Sequence, residues 1–204
     1  PGFALAHAEL GHAYAALNWI THSQAKDFMP KIKIAYDQAL KLDDQLAEAH
    51  AYIAQYKHYY EWDFVGAEAE HKRSLALDPN SADVRMAYAF YLTYMGRFEE
   101  AIPEIRRAEA LDPTSVWIGR NVTQALYFAR RYDEAIEQGR RVVEANPNSA
   151  TAYDWLSQSY LMKGDEQAVL AVKLKQMEVS GAAPEELAAM KAAFAVSGWK
   201  GCAK

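Results

Sequence analysis

The feature that most constrains the fold of this 204-residue chain is a segment that recurs every 34 residues. It reads ALDPNS at 76–81, ALDPTS at 110–115 and, in a weaker form, EANPNS at 144–149. Its prolines are Pro79, Pro113 and Pro147. Proline lacks an N–H donor and disfavours helix in the residue before it, so each copy predicts the end of a helix. A fixed period of this length predicts an array of repeated structural units.

The unit between two such prolines has the pattern of a helical hairpin. Its apolar and small residues recur at helical spacing, and Gly96 interrupts the spacing once, where a tight turn needs backbone angles that a side chain disfavours. Small residues such as Gly11 and Ala54 predict close helix crossings in other units. The predicted core positions are Tyr88, Ala89, Leu92, Ala101, Ile105, Ala108, Val122, Thr123, Leu126, Tyr132, Ala135, Val142, Tyr153, Leu156, Ser157 and Tyr160.

This pattern resembles the tetratricopeptide repeat, a helix-turn-helix array with a 34-residue period. The resemblance implies an all-α fold, a right-handed superhelical stack of antiparallel helix pairs. It divides the chain into one array of five repeats and the first helix of a sixth, and we expect the array to be truncated at both ends. The expected boundaries are 4–46, 47–81, 82–115, 116–149, 150–183 and 184–198.

Two repeats depart from the regular length. The first carries about nine extra residues around NWITHSQAK, and the second carries one extra residue at Glu61-Trp62-Asp63. We expect irregular loops at both places, and irregular loops carry function more often than regular ones.

The amino-acid sequences of several segments are similar to those of the repeat tails of large bacterial regulators. The segments include FALAHAELGHAYAAL, YLTYMGRFEEAIPEIRRAEALDP and ALYFARRYDEAIEQ. In such proteins the repeats follow a winged-helix DNA-binding domain, a protein kinase domain or a nucleotide cyclase domain. The resemblance therefore implies the regulatory or scaffold portion of a larger signalling or transcription-regulating protein.

Composition excludes several functional classes. No apolar run approaches the roughly 18 residues of a membrane helix, and no signal peptide pattern follows Pro1, so we expect no membrane partner. A formal charge of −5 argues against direct binding of nucleic acid. The single cysteine, Cys202, fits a reducing compartment, and we expect a cytoplasmic protein.

The sequence contains no recognisable catalytic or metal-binding pattern. His7, His12, His50 and His58 do not have the spacing of a metal motif, and Cys202 has no catalytic partner motif. No phosphate-binding loop or hydrolase signature is present. We therefore predict no enzyme activity, no cofactor and no metal. The glycosylation sequon at Asn121 falls inside a predicted helix and is interpreted as accidental.

Charged residues mark the predicted second helices. The basic pairs Lys72-Arg73, Arg106-Arg107 and Arg140-Arg141 recur near the ends of these helices, where cations complement the helix dipole. We interpret them as a solvated outer face and not as a nucleic-acid surface.

The first helices carry amides and aromatics where the resemblance places an inner groove. Such side chains suit a peptide, because amides bond backbone groups and aromatic rings serve as anchors. The family's carboxylate clamp is absent, since its slots hold Ala51, Gln55, Ala87, Trp117 and Asn121. The predicted partner is a protein or peptide, including an upstream domain of the same polypeptide. The predicted groove residues are Gln55, Tyr59, Phe90, Tyr94, Asn121, Gln124, Phe128 and Gln158.

Two alternatives remain open at this stage. Much of the same stripe would also serve to pack neighbouring repeats against each other. The aromatic stripe would equally serve self-association of the chain as an oligomerisation scaffold without a dedicated peptide ligand.

Overall fold

The protein is all-α. The computed structural model describes residues 2–21 and 25–199, which form eleven α-helices and no β-strand, and the predicted residue Cys202 lies outside these ranges. The helices are α1 Gly2–Thr21, α2 Ala25–Leu42, α3 Ala47–Tyr56, α4 Phe64–Leu77, α5 Ala82–Tyr94, α6 Phe98–Leu111, α7 Val116–Phe128, α8 Tyr132–Ala145, α9 Asp154–Lys163, α10 Glu166–Val179 and α11 Pro184–Ser197.

The chain forms two compact units. Unit 1 spans Pro1–Tyr94 and unit 2 spans Met95–Lys204. In unit 1, α1 packs on α2, α3 packs on α4, and α5 packs on both α3 and α4. In unit 2 each helix from α6 to α11 packs on the next helix in the chain. The boundaries of the individual repeats remain a prediction.

The recurring Asp-Pro-x-Ser segment both ends one helix and starts the next. Asp78 closes α4 with its backbone N–H on the Ser74 carbonyl, and its carboxylate accepts from the Asn80 N–H at 3.0 Å. Two residues after Pro79, Ser81 accepts the Val84 N–H at 3.3 Å, at the start of α5. Such caps satisfy backbone groups that the helix ends leave open.

The second copy of this segment uses the same bonds. Asp112 accepts from the Thr114 N–H at 3.1 Å, and Ser115 accepts from the Ile118 N–H at 3.3 Å. The third copy differs, because Ser149 leads into a short 3₁₀ turn, Ala150–Tyr153, before α9 begins.

The predicted core positions are buried, except Tyr132, which is half-buried at the start of α8. Between α5 and α6 the turn residue Gly96 has φ +72°, as a tight turn requires. Near the start of the chain, Gly11 faces the Tyr36 ring so closely that a Cβ would overlap it. The predicted positions that are less than a tenth exposed are Tyr88, Ala89, Leu92, Ala101, Ile105, Ala108, Val122, Thr123, Leu126, Ala135, Val142, Tyr153, Leu156, Ser157 and Tyr160.

The extra residues of the first repeat do not form the long irregular loop that we expected. Residues 18–21 continue α1 and residues 25 and 26 begin α2, whereas residues 22–24 lie outside the described ranges. As a result α1 has 20 residues and α2 has 18, and the later helices have 10 to 14. The expectation was wrong because most of the insertion retains helical spacing and lengthens the helices.

The extra residue of the second repeat is absorbed inside a helix. Residues Lys57–Glu61 form a π-helical turn directly after α3, and Trp62 then reverses the chain with φ 57°. A π-helical turn accommodates one residue more than an α-helical turn and is frequent at functional sites. The turn therefore displaces Tyr59 and Tyr60 from the register of the other first helices.

Two of the basic pairs are not purely solvated surface. Arg140 donates to the Tyr160 hydroxyl at 2.6 Å, and Arg141 donates to Gln138 at 2.8 Å. The first member of the pair on α6 makes similar bonds.

Arg106 donates to Gln138 at 2.7 Å and to Glu109 at 2.8 Å. Gln138 is only 2% exposed and also donates to Glu109, so these groups tie α6 to α8 inside unit 2. Arg107 fits the prediction better, because its side chain is 63% exposed and pairs within α6 with Glu104.

Candidate functional site

In unit 1 three of the four predicted groove residues, Tyr59, Phe90 and Tyr94, lie in a cluster of aromatic rings. The Phe90 and Tyr94 rings are 4.6 Å apart on α5, and Tyr94 is 49% exposed. The His58 ring of the π-helical turn joins them to Tyr59, at 6.2 Å from Tyr94 and stacked at 4.6 Å on Tyr59. His58 also contacts the rings of Phe64 and Tyr91. We call these six side chains the unit 1 aromatic cluster.

Gln55 and Tyr59 also line a pocket on the same unit. The pocket measures about 100 Å³, and we call it the tyrosine pocket. It lies between α1, α2, α3 and the π-helical turn. Its lining consists of His12, Ala15, Ala16, Ile32, Tyr36, Gln55, Tyr56, Tyr59 and Tyr60.

In unit 2 the predicted residue Phe128 belongs to a second aromatic group. The rings of Tyr127 and Phe128 each lie 5.2 Å from the Trp155 ring on α9. The guanidinium of Arg120 lies 5.8 Å from the Trp155 ring and 5.2 Å from the Trp117 ring. We call these five side chains the unit 2 aromatic cluster.

The charge of Arg120 is largely compensated. It pairs with Asp154 at 3.2 Å, and its side chain is 17% exposed. Trp117 and Phe128, in contrast, are 52% and 39% exposed. The cluster therefore presents aromatic faces held by a neutralised guanidinium, a combination that binds apolar and amide groups better than phosphates.

The predicted amide residues of unit 2 are more buried than a contact surface requires. Asn121 and Gln124 are each 4% exposed, and Gln158 is half-buried. Asn121 donates to the Trp117 carbonyl at 2.7 Å within α7, so its amide is used by its own helix. This burial also removes the sequon at Asn121 from the protein surface.

Two polar atoms in the same region have no hydrogen-bond partner among the described residues. They are Gln124 Oε1 on α7, an acceptor, and Trp155 Nε1 on α9, a donor. Buried polar groups are nearly always paired, and each exception needs a reason.

The histidines serve packing and hydrogen bonding. His50 contacts Glu70 at 2.7 Å and the Asp44 carbonyl at 3.0 Å, whereas His12 stacks on Tyr52 at 4.6 Å. The described part of the chain contains no group of three or more His, Cys, Asp and Glu side chains that could hold a metal ion. It also contains no helix long and apolar enough to cross a membrane.

The tyrosine pocket also contains residues that were not among the predicted groove residues, although the sequence held an indication of them. Tyr36, Tyr56 and Tyr60 join Gln55 and Tyr59 in one pocket because the π-helical turn changes the register, and a 34-residue template cannot show that change. The density of tyrosines in the segment YIAQYKHYYEW was the available indication. Trp117 and Trp155 occupied inner positions of the template but were not selected.

No protein-family model and no curated protein matches the sequence. Solved structures do match. PilW, a widely conserved type IV pilus biogenesis factor, is 17% identical with a TM-score of 0.77, over 99% of this chain and 90% of its own. PilF of Pseudomonas aeruginosa is 19% identical with a TM-score of 0.73, over 98% and 87%.

A third similar structure is YrrB, a TPR protein with an unusual peptide-binding site. It is 20% identical, with a TM-score of 0.57 over 81% of this chain and 82% of its own. The chain has the tetratricopeptide-repeat fold. At these identities the similarity concerns the fold alone.

Proposed function

We propose that this chain is a non-catalytic protein-interaction module that binds a peptide or a domain through its first helices. It would form the regulatory or scaffold portion of a larger bacterial signalling or transcription-regulating protein, in the cytoplasm. The upstream domain of the same polypeptide is one such partner. The proposed contact residues are the predicted set, which includes the exposed ring of Tyr94 in unit 1 and that of Phe128 in unit 2.

The observation that carries this proposal is the exposure of aromatic rings on successive first helices. Tyr94 on α5, and Trp117 and Phe128 on α7, are each more than a third exposed. Each ring is supported by buried or half-buried neighbours, so little side-chain entropy is lost when a ligand binds. Rigid aromatic side chains supply most of the energy at binding surfaces.

The unpaired polar atoms of unit 2 favour a peptide ligand. A peptide group offers one N–H donor and one C=O acceptor, which would complement Gln124 Oε1 and Trp155 Nε1. Both atoms are buried, so binding would include a side-chain rotation that brings them to the surface. YrrB, a TPR protein with an unusual peptide-binding site, is an example of this use of the fold.

The test is titration of a partner captured by crosslinking to the full-length protein. Phe90→Ala and Tyr94→Ala are each expected to weaken binding by about 2 kcal/mol, because they truncate a central aromatic contact. The control Arg107→Ala changes an exposed outer residue and should alter affinity by less than about 0.5 kcal/mol. Circular dichroism of each variant checks that the fold is intact.

Salt provides a second measurement on the same complex. The ring surfaces carry few uncompensated charges, so affinity should fall only slightly between low and moderate salt, unlike that of a phosphate-driven complex. The proposal is wrong if Arg107→Ala abolishes binding while both aromatic truncations leave it unchanged.

A second candidate function is self-association, and one face of α1 favours it. Six side chains alternate at intervals of three and four residues along this helix, and all six are exposed. This is the spacing of a two-helix seam. The residues are Phe3, Ala6, Leu10, Ala13, Leu17 and Ile20.

An antiparallel pairing of two α1 helices would complement this face in size. It places Leu10 opposite Ala13 and Leu17 opposite Ala6 of the second copy, so that a large residue meets a small one in these inner pairs. At the two ends of the seam the same register places Phe3 opposite Ile20. Glu9 is the one carboxylate in α1 and accepts a hydrogen bond from Tyr52 at 2.8 Å, so little like-charge repulsion opposes the pairing.

Light scattering across a dilution series tests this candidate. The wild-type chain is expected to be dimeric at high concentration, and Leu10→Glu is expected to make it monomeric, because a buried unpaired carboxylate is costly. The control is Ile34→Glu, which changes an apolar residue of α2 that is 62% exposed, compared with 45% for Leu10. A wild-type chain that stays monomeric throughout would exclude self-association through α1.

A further inference from the structure

The tyrosine pocket is where the two irregularities of the chain meet. The lengthened α1 contributes His12, Ala15 and Ala16, and one turn further along Asn18 donates to the Tyr60 hydroxyl at 3.2 Å. The π-helical turn contributes Tyr59 and Tyr60. The π-helical turn therefore forms part of the wall of a cavity within unit 1, and the extension of α1 that begins at Asn18 holds the hydroxyl of one wall residue.

Aromatic rings make up most of the wall. The Tyr36 and Tyr56 rings meet edge to face at 6.3 Å, and Tyr60 lies 5.4 Å from Tyr56. Tyr36 and Tyr56 are 3% and 7% exposed, so these rings are fixed by packing. An engineered cavity of about 150 Å³ holds a benzene molecule, and a pocket of about 100 Å³ suits one compact group of slightly smaller size.

The charges around the pocket are mainly negative. Burial raises the pKa of Tyr36 and Tyr56, and the charges of Glu9 on Tyr36 and of Glu61 and Asp37 on Tyr56 raise it further. Glu9 belongs to α1 and Glu61 to the π-helical turn, whereas Asp37 of α2 is paired with Lys33. The net negative charge that acts on the pocket therefore comes from Glu9 and Glu61. The tyrosines stay neutral and keep their electron-rich ring faces.

The cations near the pocket are compensated or peripheral. Lys33 lies 6.0 Å from the Tyr56 ring, but its side chain is 55% exposed and pairs with Asp37 at 3.8 Å. No Lys or Arg side chain is among the lining residues. The basic group on the wall is the His12 imidazole, which stacks on Tyr52.

We propose that the tyrosine pocket is an aromatic cage for an alkylammonium group. Electron-rich ring faces attract a cation within about 6 Å of their centroids, and the surrounding carboxylates add a favourable field. A neutral apolar group would gain the same contact area without either electrostatic contribution. The ammonium group could belong to a lysine side chain of a bound peptide, where it would anchor the partner of the proposed function. This assignment of the ammonium group to a peptide rests on the proposed function.

The experiment compares a cation with its neutral isostere. Choline and 3,3-dimethylbutan-1-ol have the same shape, and each is titrated into the whole chain while the NMR signals of the Gln55 side-chain amide are followed. Choline is expected to bind about tenfold more tightly than the alcohol. Equal affinity of the two, or the absence of binding by choline, would overturn the proposal.

Variants of one wall residue separate the ring from the hydroxyl. Tyr60→Phe keeps the ring and should retain most of the choline affinity, whereas Tyr60→Leu should reduce it about tenfold. The control Tyr132→Leu removes a ring of unit 2 and should leave choline binding unchanged. If Tyr60→Leu and the Tyr132 control behave alike, the cage assignment is wrong.

A second pair of probes identifies the source of the cation. N-acetyl-lysine methylamide is compared with the norleucine analogue, which lacks the charge. Binding of the lysine compound assigns the pocket to a side chain of a peptide partner, and binding of choline alone assigns it to a small quaternary ammonium ligand. If choline fails while Phe90→Ala still weakens the partner, the cage is wrong and the interaction module stands. If choline binds but Phe90→Ala leaves the affinity for the partner unchanged, the cage stands and the proposed interaction module is wrong.

Discussion

Acidification from pH 6.5 to about 5 is expected to lower the free energy of unfolding by about 1.7 kcal/mol in total through His71. The slope rises from about 0.7 kcal/mol per pH unit at pH 6.5, where the unfolded imidazole is half protonated, to about 1.3 at pH 5. The His71 side chain is 1% exposed, among the Tyr88 and Tyr91 rings, and its Nδ1 has no hydrogen-bond partner among the described residues. Burial lowers its pKa to about 3, with a smaller contribution from His58.

The sign follows from the two pKa values. Below about pH 6.5 the unfolded chain binds a proton at His71, but the folded protein does not bind it until about pH 3. The unfolded state therefore holds more protons throughout this window, and stability falls as the pH falls. Most carboxylates titrate below about pH 5, so they contribute little to the upper part of the window.

The measurement is urea unfolding at several values between pH 7 and about 5. The variant His71→Phe keeps a ring of similar shape and should flatten the dependence of stability on pH. It should not abolish that dependence, because burial also lowers the pKa of His58. The control His12→Gln removes an exposed imidazole and should keep the wild-type slope. An unchanged slope in His71→Phe would show that His71 is protonated in the folded protein.

The helices were predictable because their signals are local. Apolar periodicity, the turn at Gly96 and the Asp-Pro-x-Ser segments act within about four residues, and the structure follows them closely. The fold class was accessible for the same reason, since a 34-residue period allows few architectures. The third segment differs because Asn146 replaces the aspartate and a 3₁₀ turn intervenes before α9.

The candidate site was less predictable, because register and burial depend on tertiary packing. A one-residue insertion near Trp62 is compatible with a longer loop or with a π-helical turn. Only the π-helical turn places Tyr60 in the wall of the pocket. The amides of Asn121 and Gln124 have the same sequence signal as exposed amides, but packing leaves each 4% exposed. Sequence position alone cannot separate a buried groove wall from a contact surface.

The packing of α8 on α9 connects stability with the unit 2 aromatic cluster. Leu156 follows Trp155 directly in α9, and it packs with Tyr160 and Val169 in a buried cluster. Because the two residues are consecutive in one helix, packing that holds Leu156 in place also holds the Trp155 ring next to Phe128. The residue of α8 that faces Leu156 is Gly139.

Replacement of Gly139 by leucine is expected to destabilise unit 2 by about 3 kcal/mol. A Cβ at this position would lie 2.9 Å from Leu156 Cβ and 3.3 Å from its Cα, so backbone as well as side chain must move. Overpacking of this kind costs about 1 to 3 kcal/mol or more, whereas the gain from removing a helical glycine is about 1 kcal/mol. The collision is therefore the larger effect. The control Ala110→Leu introduces the same side chain at an exposed position of α6 and should change stability by less than about 0.5 kcal/mol.

A double-mutant cycle identifies the collision as the cause. Leu156→Ala alone should destabilise by about 2 to 5 kcal/mol through the cavity it leaves. The double variant with Gly139→Leu should cost clearly less than the sum of the two, because the new leucine fills that cavity. Strict additivity would mean that the two residues do not meet. Gly139→Leu should also shift the NMR signal of the Trp155 indole N–H, because displacing Leu156 moves the adjacent residue. If that signal does not move, the packing of α8 on α9 does not determine the position of the Trp155 ring in the unit 2 aromatic cluster.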